Sequence, residues 1–315
     1  MSPAFSSPRD SYETGSSDSF IGREANSTGT VTVAGTNSTW LIGGQLEIGY
    51  DLDAGNNGGT GTLRIQPGGT VNVPLNTFVS VGDLLSLEGG TLSTQSLGFP
   101  DGGNADTNFQ WTSGTLHVAF FDGNLVNQAG VLAPGNSIGS TVINAGNYNQ
   151  LADATLEVEI GGTTPGIQHD FVFIFGNAFL GGDLELALID GFVPASADTF
   201  RILQATLNVF NSFANVANGQ RLATTDGLGS FLVNYGAGSL FADNEIVLSN
   251  FLFATPGDCQ IDGRVDLDDY ARFRFCLGGP GVPFGPPECE CVDLNADGVV
   301  DLSDFAVFHA GFTGP

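Results

Sequence analysis

Two acidic segments near the carboxyl end have a residue spacing that specifies a chemistry. Segment 258–269 reads DCQIDGRVDLDD and segment 293–304 reads DLNADGVVDLSD. Each sets oxygen-bearing side chains at loop positions 1, 3, 5, 9 and 12 around a glycine at position 6. That is the arrangement a hard, oxygen-seeking cation such as Ca²⁺ requires. The rest of the chain says far less about chemistry.

The elements that hold these loops are duplicated. An offset of 35 residues carries Leu267 onto Leu302, Tyr270 onto Phe305, Ala271 onto Ala306, Phe273 onto Phe308 and Gly279-Pro280 onto Gly314-Pro315. After each loop apolar residues recur at helical spacing: Leu267, Ala271 and Phe275 in the first unit, then Leu302, Phe305, Ala306, His309 and Phe312 in the second. Each unit is therefore expected to be a cation loop followed by one helix, the two helices burying these faces against each other. Neither loop has a helix-forming stretch before it, since 251–257 is short and contains proline and 278–287 is rich in glycine and proline. A full EF-hand, with a helix on both sides, is thereby excluded. All four cysteines, Cys259, Cys276, Cys289 and Cys291, fall in this region. Their clustering in a small, loop-rich module fits disulfides and an oxidising compartment. Direct bridging of Cys289 to Cys291 would strain a very short loop, so Cys259 and Cys276 are each expected to pair with one of that duo. A zinc site is the competing reading, and the spacings lack its paired C-x₂₋₄-C knuckles.

Loop-plus-helix twice over, with Asp rather than Glu at position 12, resembles the dockerin type I module over 256–315. By position, the resemblance implies two Ca²⁺ sites. The first would use Asp258, Gln260, Asp262, Asp266 and Asp269 with the carbonyl of Arg264. The second would use Asp293, Asn295, Asp297, Asp301 and Asp304 with the carbonyl of Val299. Gln260 stands where Asp or Asn is usual, which removes a charge, so the first site is expected to be the weaker. Loop positions 10 and 11 help choose a dockerin's partner; here they are Leu267-Asp268 and Leu302-Ser303, unlike the familiar Ser-Thr pairs. The resemblance thus implies a cohesin-like or other cell-surface protein as partner without naming it. The cysteines and the Pro-rich insert also depart from the family pattern.

Composition agrees with a cation as counterpart. The chain of 315 residues has 34 acidic residues against eight basic ones, all Arg, and a formal charge of −26. Nucleic acid and anionic lipid both need a basic face and are disfavoured as partners. No segment approaches the roughly 18 continuous apolar residues of a membrane span, so no membrane insertion is expected. The amino-terminal MSPAFSSPRDSYETGSSDSF lacks both the basic and the apolar region of a secretory signal, which counts against export. The cysteines point the other way, and the reading follows them to an extracellular or cell-surface location.

From Ile21 a repeat begins. Its units include STGTVTV (27–33), GTGTLRI (59–65), GGTVNV (68–73), GGTLST (89–94) and SGTLHV (113–118), with Ile21-Gly22, Ile48-Gly49 and Val81-Gly82 recurring between them. A glycine turn followed by alternating Thr, Val, Leu and Ile is a short strand with one buried face. Starts lie about twenty residues apart, the period of one rung of a β-solenoid. The texture changes near 123, and LAPGNSIG (132–139), LEVEIGGTTPG (156–166) and FLGGDLELAL (179–188) resemble the passenger regions of autotransporter-type bacterial surface proteins. That resemblance covers about 20–250 and implies an exported, right-handed parallel β-helix. No membrane barrel motif follows it, so self-translocation by that route is not supported. The expected fold is mainly β: a disordered lead-in over 1–19, a solenoid over 20–250 with 205–250 as its closing part, a connector at 251–257 and a small helical Ca²⁺ module at 258–315. A first rung with nothing to cap it suggests that an upstream part, with cap and signal peptide, precedes this sequence.

Support for catalysis is thin. Glu47, Asp51 and Asp53 are the solenoid carboxylates to consider, with Arg23 and Arg64 as neighbouring cations, and no pectinase-type Asp pair or His-Gly motif accompanies them. His117, His169 and His309 sit in separate segments. Trp40, Trp111 and the phenylalanines are expected to be core rather than carbohydrate platforms. The sequence thus reads as a secreted, non-catalytic surface or matrix protein, with a stalk and a Ca²⁺-dependent attachment module. The alternative is an accessory subunit or enzyme of a polysaccharide-degrading complex, for which polysaccharide would be a further partner.

Overall fold

The computed structural model describes residues 4–5, 18–51, 56–135 and 137–313. The chain is mainly β and divides into two compact units. One comprises 1–193, 199–220 and 233–248; the other comprises 194–198, 221–232 and 249–315.

In the first unit the repeats pair with one another in parallel and in register. Thr28–Val33 lies along Thr60–Ile65, with Thr28 opposite Thr60 and Val33 opposite Ile65. Thr39, Thr70, Thr91 and Thr115 make a separate column on Ser38–Leu41, Gly69–Val79, Leu84–Gly98 and Phe109–Asp122. Alternation then does what the pleat demands, because residues two apart share a face. Leu63, Leu85, Leu92, Leu116, Leu132, Leu156 and Leu184 have no exposed surface, while most of their neighbours on the other face are partly exposed, Ser86 and Ser93 being buried. Trp40 and Trp111 are buried, as expected of core residues.

Two features of the repeat were not legible in the motifs. The offset between paired residues is 32 at Thr28–Thr60, 21 at Thr70–Thr91, 24 at Thr91–Thr115 and 31 at Ser140–Phe171, so the turns are not of one length and the period of about twenty holds only in the middle of the repeat. The phrase Val81-Gly82 is also two residues out of step with its apparent relatives. Ile21 pairs with Ile48 and Ile48 with Val79, so the column passes from Ile48 to Val79 and Val81 is left half-exposed. Gly49 turns with φ +67°, and a β-carbon there would lie 1.8 Å from Oδ2 of Asp83, so this turn accepts no side chain.

From residue 123 onward a second device joins the turns. The short strands Leu125–Asn127, Tyr148–Gln150, Ala178–Leu180 and Val209–Asn211 form a sheet of their own. Each is preceded by an asparagine. The backbone N–H of Asn147 donates to Oδ1 of Asn124 at 3.0 Å, that of Asn177 to Asn147 at 2.8 Å and that of Asn208 to Asn177 at 3.3 Å. The recurring Gly-Asn at 123–124, 146–147 and 176–177 was the available signal for this ladder.

Near the amino end, Ala4–Phe5 runs antiparallel to Thr28–Val33. Among the described residues Ser19–Ile21 is the next strand. The strand Glu245–Phe253 joins the end of the expected closing part, 205–250, to the start of the expected connector, 251–257.

In the second unit, Arg221–Ala223 pairs antiparallel with Gly229–Tyr235. Three short helical elements follow: α1 (Leu267–Cys276), a 3₁₀ turn (Pro287–Val292) and α2 (Leu302–Gly311). Val265, Phe273, Cys276, Cys289, Val292, Val300 and Phe308 form a core, with Cys259, Phe284, Leu294 and Phe305 packed against it.

Candidate cation-binding loops

The two loops are built alike. Each begins with an aspartate that folds the chain back on itself. Oδ1 and Oδ2 of Asp258 accept from the N–H groups of Asp262 at 3.1 Å and Gly263 at 2.8 Å; Asp293 accepts from Asp297 at 3.2 Å and Gly298 at 2.9 Å. The position-6 glycines have φ +90° at Gly263 and +80° at Gly298, left-handed turns that explain the residue type. At position 5, Asp262 accepts from the Arg264 N–H at 2.9 Å and Asp297 from the Val299 N–H at 3.0 Å. Asp266 and Asp301 at position 9 cap α1 and α2 through the N–H groups of Asp268 and Ser303. These caps satisfy donors that a helix start leaves unpaired.

The aspartates at position 12 close the structure. Asp269 accepts from Cys259 at 2.8 Å and Asp266 at 2.9 Å; Asp304 accepts from Leu294 at 2.8 Å, Asn295 at 3.2 Å and Asp301 at 2.8 Å. Both are almost fully buried, at 1% and 0% exposure. Taking a carboxylate out of water is costly unless it is hydrogen-bonded, and these backbone donors supply that compensation. Burial raises the carboxyl pKa of Asp269 and of Asp258, opposed in each case by the backbone N–H bonds.

The loops differ at position 3 and in their surroundings. Asn295 accepts from the Asp297 N–H at 3.0 Å and donates to Asp297 Oδ2 at 3.1 Å, whereas Gln260 is exposed. The first loop is tied to the preceding hairpin, where Ser230 Oγ donates to the Ile261 carbonyl and Arg221 donates to Ser230 and Asn250. Burial lowers the pKa of Arg221, and the charges of Asp262 and Asp258 raise it.

The donor set fits a hard cation in type: carboxylates, an amide oxygen and backbone carbonyls at the expected positions. Among the described residues no group of three or more His, Cys, Asp or Glu converges into a ready-made metal cage. The loop carboxylates instead turn their oxygens to backbone N–H groups.

The expected helix contact is corrected. α1 and α2 do pack together, with Phe273 and Phe308 centroids 5.3 Å apart and Phe273 and Phe305 5.5 Å apart. The face read from spacing is inward only at Phe305, however: Leu267, Ala271 and Phe275 are exposed, as are Leu302, Ala306, His309 and Phe312. The reason lies in the loops. Position 12 is the third residue of each helix and must point into its loop, so the residue four further on, Phe273 or Phe308, is carried inward with it. What remains outside includes an apolar groove of about 280 Å³ lined by Leu267, Tyr270, Phe305, Phe308, His309 and Phe312. The 3₁₀ turn directly before the second loop was also not foreseen in the Gly-Pro-rich stretch.

Two disulfides join the unit, Cys259–Cys291 and Cys276–Cys289. Each joins one of Cys259 and Cys276 to one of Cys289 and Cys291, as the spacing required. Disulfides of this kind belong to an oxidising compartment. Among the described residues no helix is long and apolar enough to cross a membrane.

The described residues considered for catalysis belong to several different elements of the fold. Glu47 is buried at 2% exposure, Asp51 belongs to the two-residue strand Tyr50–Asp51, and Asp53 lies outside the described residues. Arg64 pairs with Glu88 at 2.7 Å, and Arg23 lies 4.1 Å over the Phe20 ring. His169 is fully buried between the carbonyls of Gly162 and Arg201, while burial lowers the pKa of His117. No family model matches this chain, and no curated protein matches it.

Proposed function

We propose that this chain is an exported, non-catalytic surface or matrix protein in which a parallel β-helical stalk carries a Ca²⁺-stabilised, dockerin-like attachment module. The observation that carries the reading is the duplicated hydrogen-bond lattice of 258–269 and 293–304. In both loops the position-1 aspartate holds the N–H groups of positions 5 and 6, and the position-12 aspartate holds those of positions 2 and 9. Two copies of one lattice, each ringed by oxygen donors, are what two cations of one kind would use. Ca²⁺ would supply the charge that the clustered carboxylates lack; the residues themselves fix the loop and start the helix.

The register of the repeats supports the stalk, because parallel pairing of each turn with the next lets every turn bury its apolar face on its neighbour. The groove beside Leu267 and Phe312 supports attachment. Both position-10 leucines are exposed, Leu267 at 58% and Leu302 at 72%, at the ends of the two loops where a partner would read them.

Calorimetric titration of the chelator-treated chain with Ca²⁺ tests the reading. The expected result is two binding events, with far-UV helical signal and protease resistance of 256–315 gained on addition. A chain that takes up no Ca²⁺ and keeps both properties in chelator sinks it. Capture from a cell-surface extract, with and without Ca²⁺, then separates docking from folding.

A further inference from the structure

The two disulfides differ in where they sit. Cys276 and Cys289 are in the core, with 7% and 1% exposure. Cys291 is exposed and Cys259 half-exposed, and both line an open cleft of about 660 Å³. Their bond also occupies a particular place. Cys259 is position 2 of the first loop, and its N–H is one of the two that hold the Asp269 carboxylate. Cys291 stands two residues before Asp293, position 1 of the second loop. A single covalent link therefore joins the openings of both loops.

We propose that Cys259–Cys291 is a thiol-exchange site, and that opening it loosens both cation loops. The second half rests on the reading of the loops as Ca²⁺ sites; the first half does not. Exchange requires a thiolate to reach a sulfur along the S–S axis, which exposure permits at Cys291 and the core forbids at Cys276–Cys289. The thiolate of an external dithiol attacks Sγ of Cys291, the S–S bond breaks and Cys259 leaves as thiolate. The second thiol of the reagent, deprotonated, then displaces the Cys291 thiolate, and the reagent departs as a cyclic disulfide. Two electrons pass from the dithiol to the cystine, and the two protons of the dithiol pass to solvent or to the new thiols.

The cleft also selects the reagent. Asp226, Asp258, Glu288 and Glu290 line it against a single cation, Arg272. A local field of that sign lowers the concentration of anionic thiols and favours neutral or cationic ones. Once the bond opens, position 2 loses its tether and the Asp269 carboxylate its fixed donor, so cation affinity falls. Linkage makes the effect mutual, and bound cation slows the exchange.

The test uses the full chain with Ca²⁺ and with chelator. It is treated with limiting dithiothreitol, or with glutathione at equal thiol concentration, then alkylated and mapped by peptide mass. Cys259 and Cys291 are expected to label about tenfold or more faster than Cys276 and Cys289. The preference for dithiothreitol over glutathione should exceed that of the denatured chain. Ca²⁺ titration of the selectively reduced chain, and of the Cys259→Ser, Cys291→Ser double variant, should show binding weakened by about tenfold. Equal labelling of the two pairs, or earlier labelling of Cys276 and Cys289, overturns the exchange site. Unchanged Ca²⁺ affinity after selective reduction overturns the coupling. An oxidised chain that binds no Ca²⁺ overturns the cation reading instead, and leaves the exchange site standing on its labelling rates.

Discussion

The two units of this chain solve the problem of a stable interior by opposite means. The first repeats one solution, each strand burying its alternate residues against the next, so that leucines from Leu63 to Leu184 are withdrawn from water in succession. Around its loops the second has a core cluster of seven buried residues, two of them half-cystines, and it devotes many of the other side chains there to acidic loops. A stack can be extended without limit, while a module of that size falls below what apolar burial alone sustains and needs cross-links or metal. The difference teaches that damage should spread differently in the two.

Phe308→Ala and Leu156→Ala are a matched pair for that comparison. Each empties a buried site and should cost about 3–5 and about 2–5 kcal/mol respectively. In the second unit that loss should abolish the cooperative transition of 256–315, whereas the first unit should keep its transition at lower temperature. Thermal melts followed by near-UV signal and limited proteolysis distinguish the two, and similar broadening in both units would break the contrast.

Asp304→Ala comes next. It strips three backbone N–H groups of their acceptor in a fully buried place, so a loss of about 3 kcal/mol is expected, read as a shift of the denaturation midpoint in chelator. If stability without metal were unchanged, the carboxylate would have no role apart from the ion.

An effect spread over pH, modest per pH unit, is expected at Asp170 in the first unit. Burial raises its pKa to about 7, against the hydrogen bonds it accepts from the Glu159 and Gly139 N–H groups, with the charges of Glu159 and Glu157 adding to the rise. A carboxyl with a raised folded-state pKa favours the folded state when protonated. Its contribution is therefore complete below pH 3.8 and is lost as pH rises towards 7. Measured against Asp170→Asn, the wild-type chain should lose stability across that window by at most about 1.4 kcal/mol per pH unit. A flat difference would show that Asp170 titrates normally. The smallest change is expected from Arg64→Ala. Its partner Glu88 has a lowered pKa, chiefly through hydrogen bonds from Gln66 and Ser86, and the exposed Arg64 should be worth less than about 1 kcal/mol in a melt.

Much of this was legible in sequence because strands and loops announce themselves locally. The Thr-Val-Leu phrases marked strands, and Thr28 and Thr60 proved to be true partners. Loop positions 1, 5, 6, 9 and 12 named the residues that make the lattice. What escaped depended on distant geometry. The register from Ile48 to Val79 is set by turn length, not by the resemblance of Val81-Gly82. The inward face of α1 is set by Asp269, a polar residue that a search for apolar periodicity passes over. The cysteine spacing narrowed the pairings to two, and only the packing of Cys276 and Cys289 in one core decides between them.

The asparagine ladder has a direction. At each step the later turn donates and the earlier turn accepts, from Asn208 back to Asn124. A chain that emerges amino end first therefore presents every acceptor before its donor exists. Each completed turn is the template for the next, and this part of the first unit can be laid down in the order in which it is synthesised.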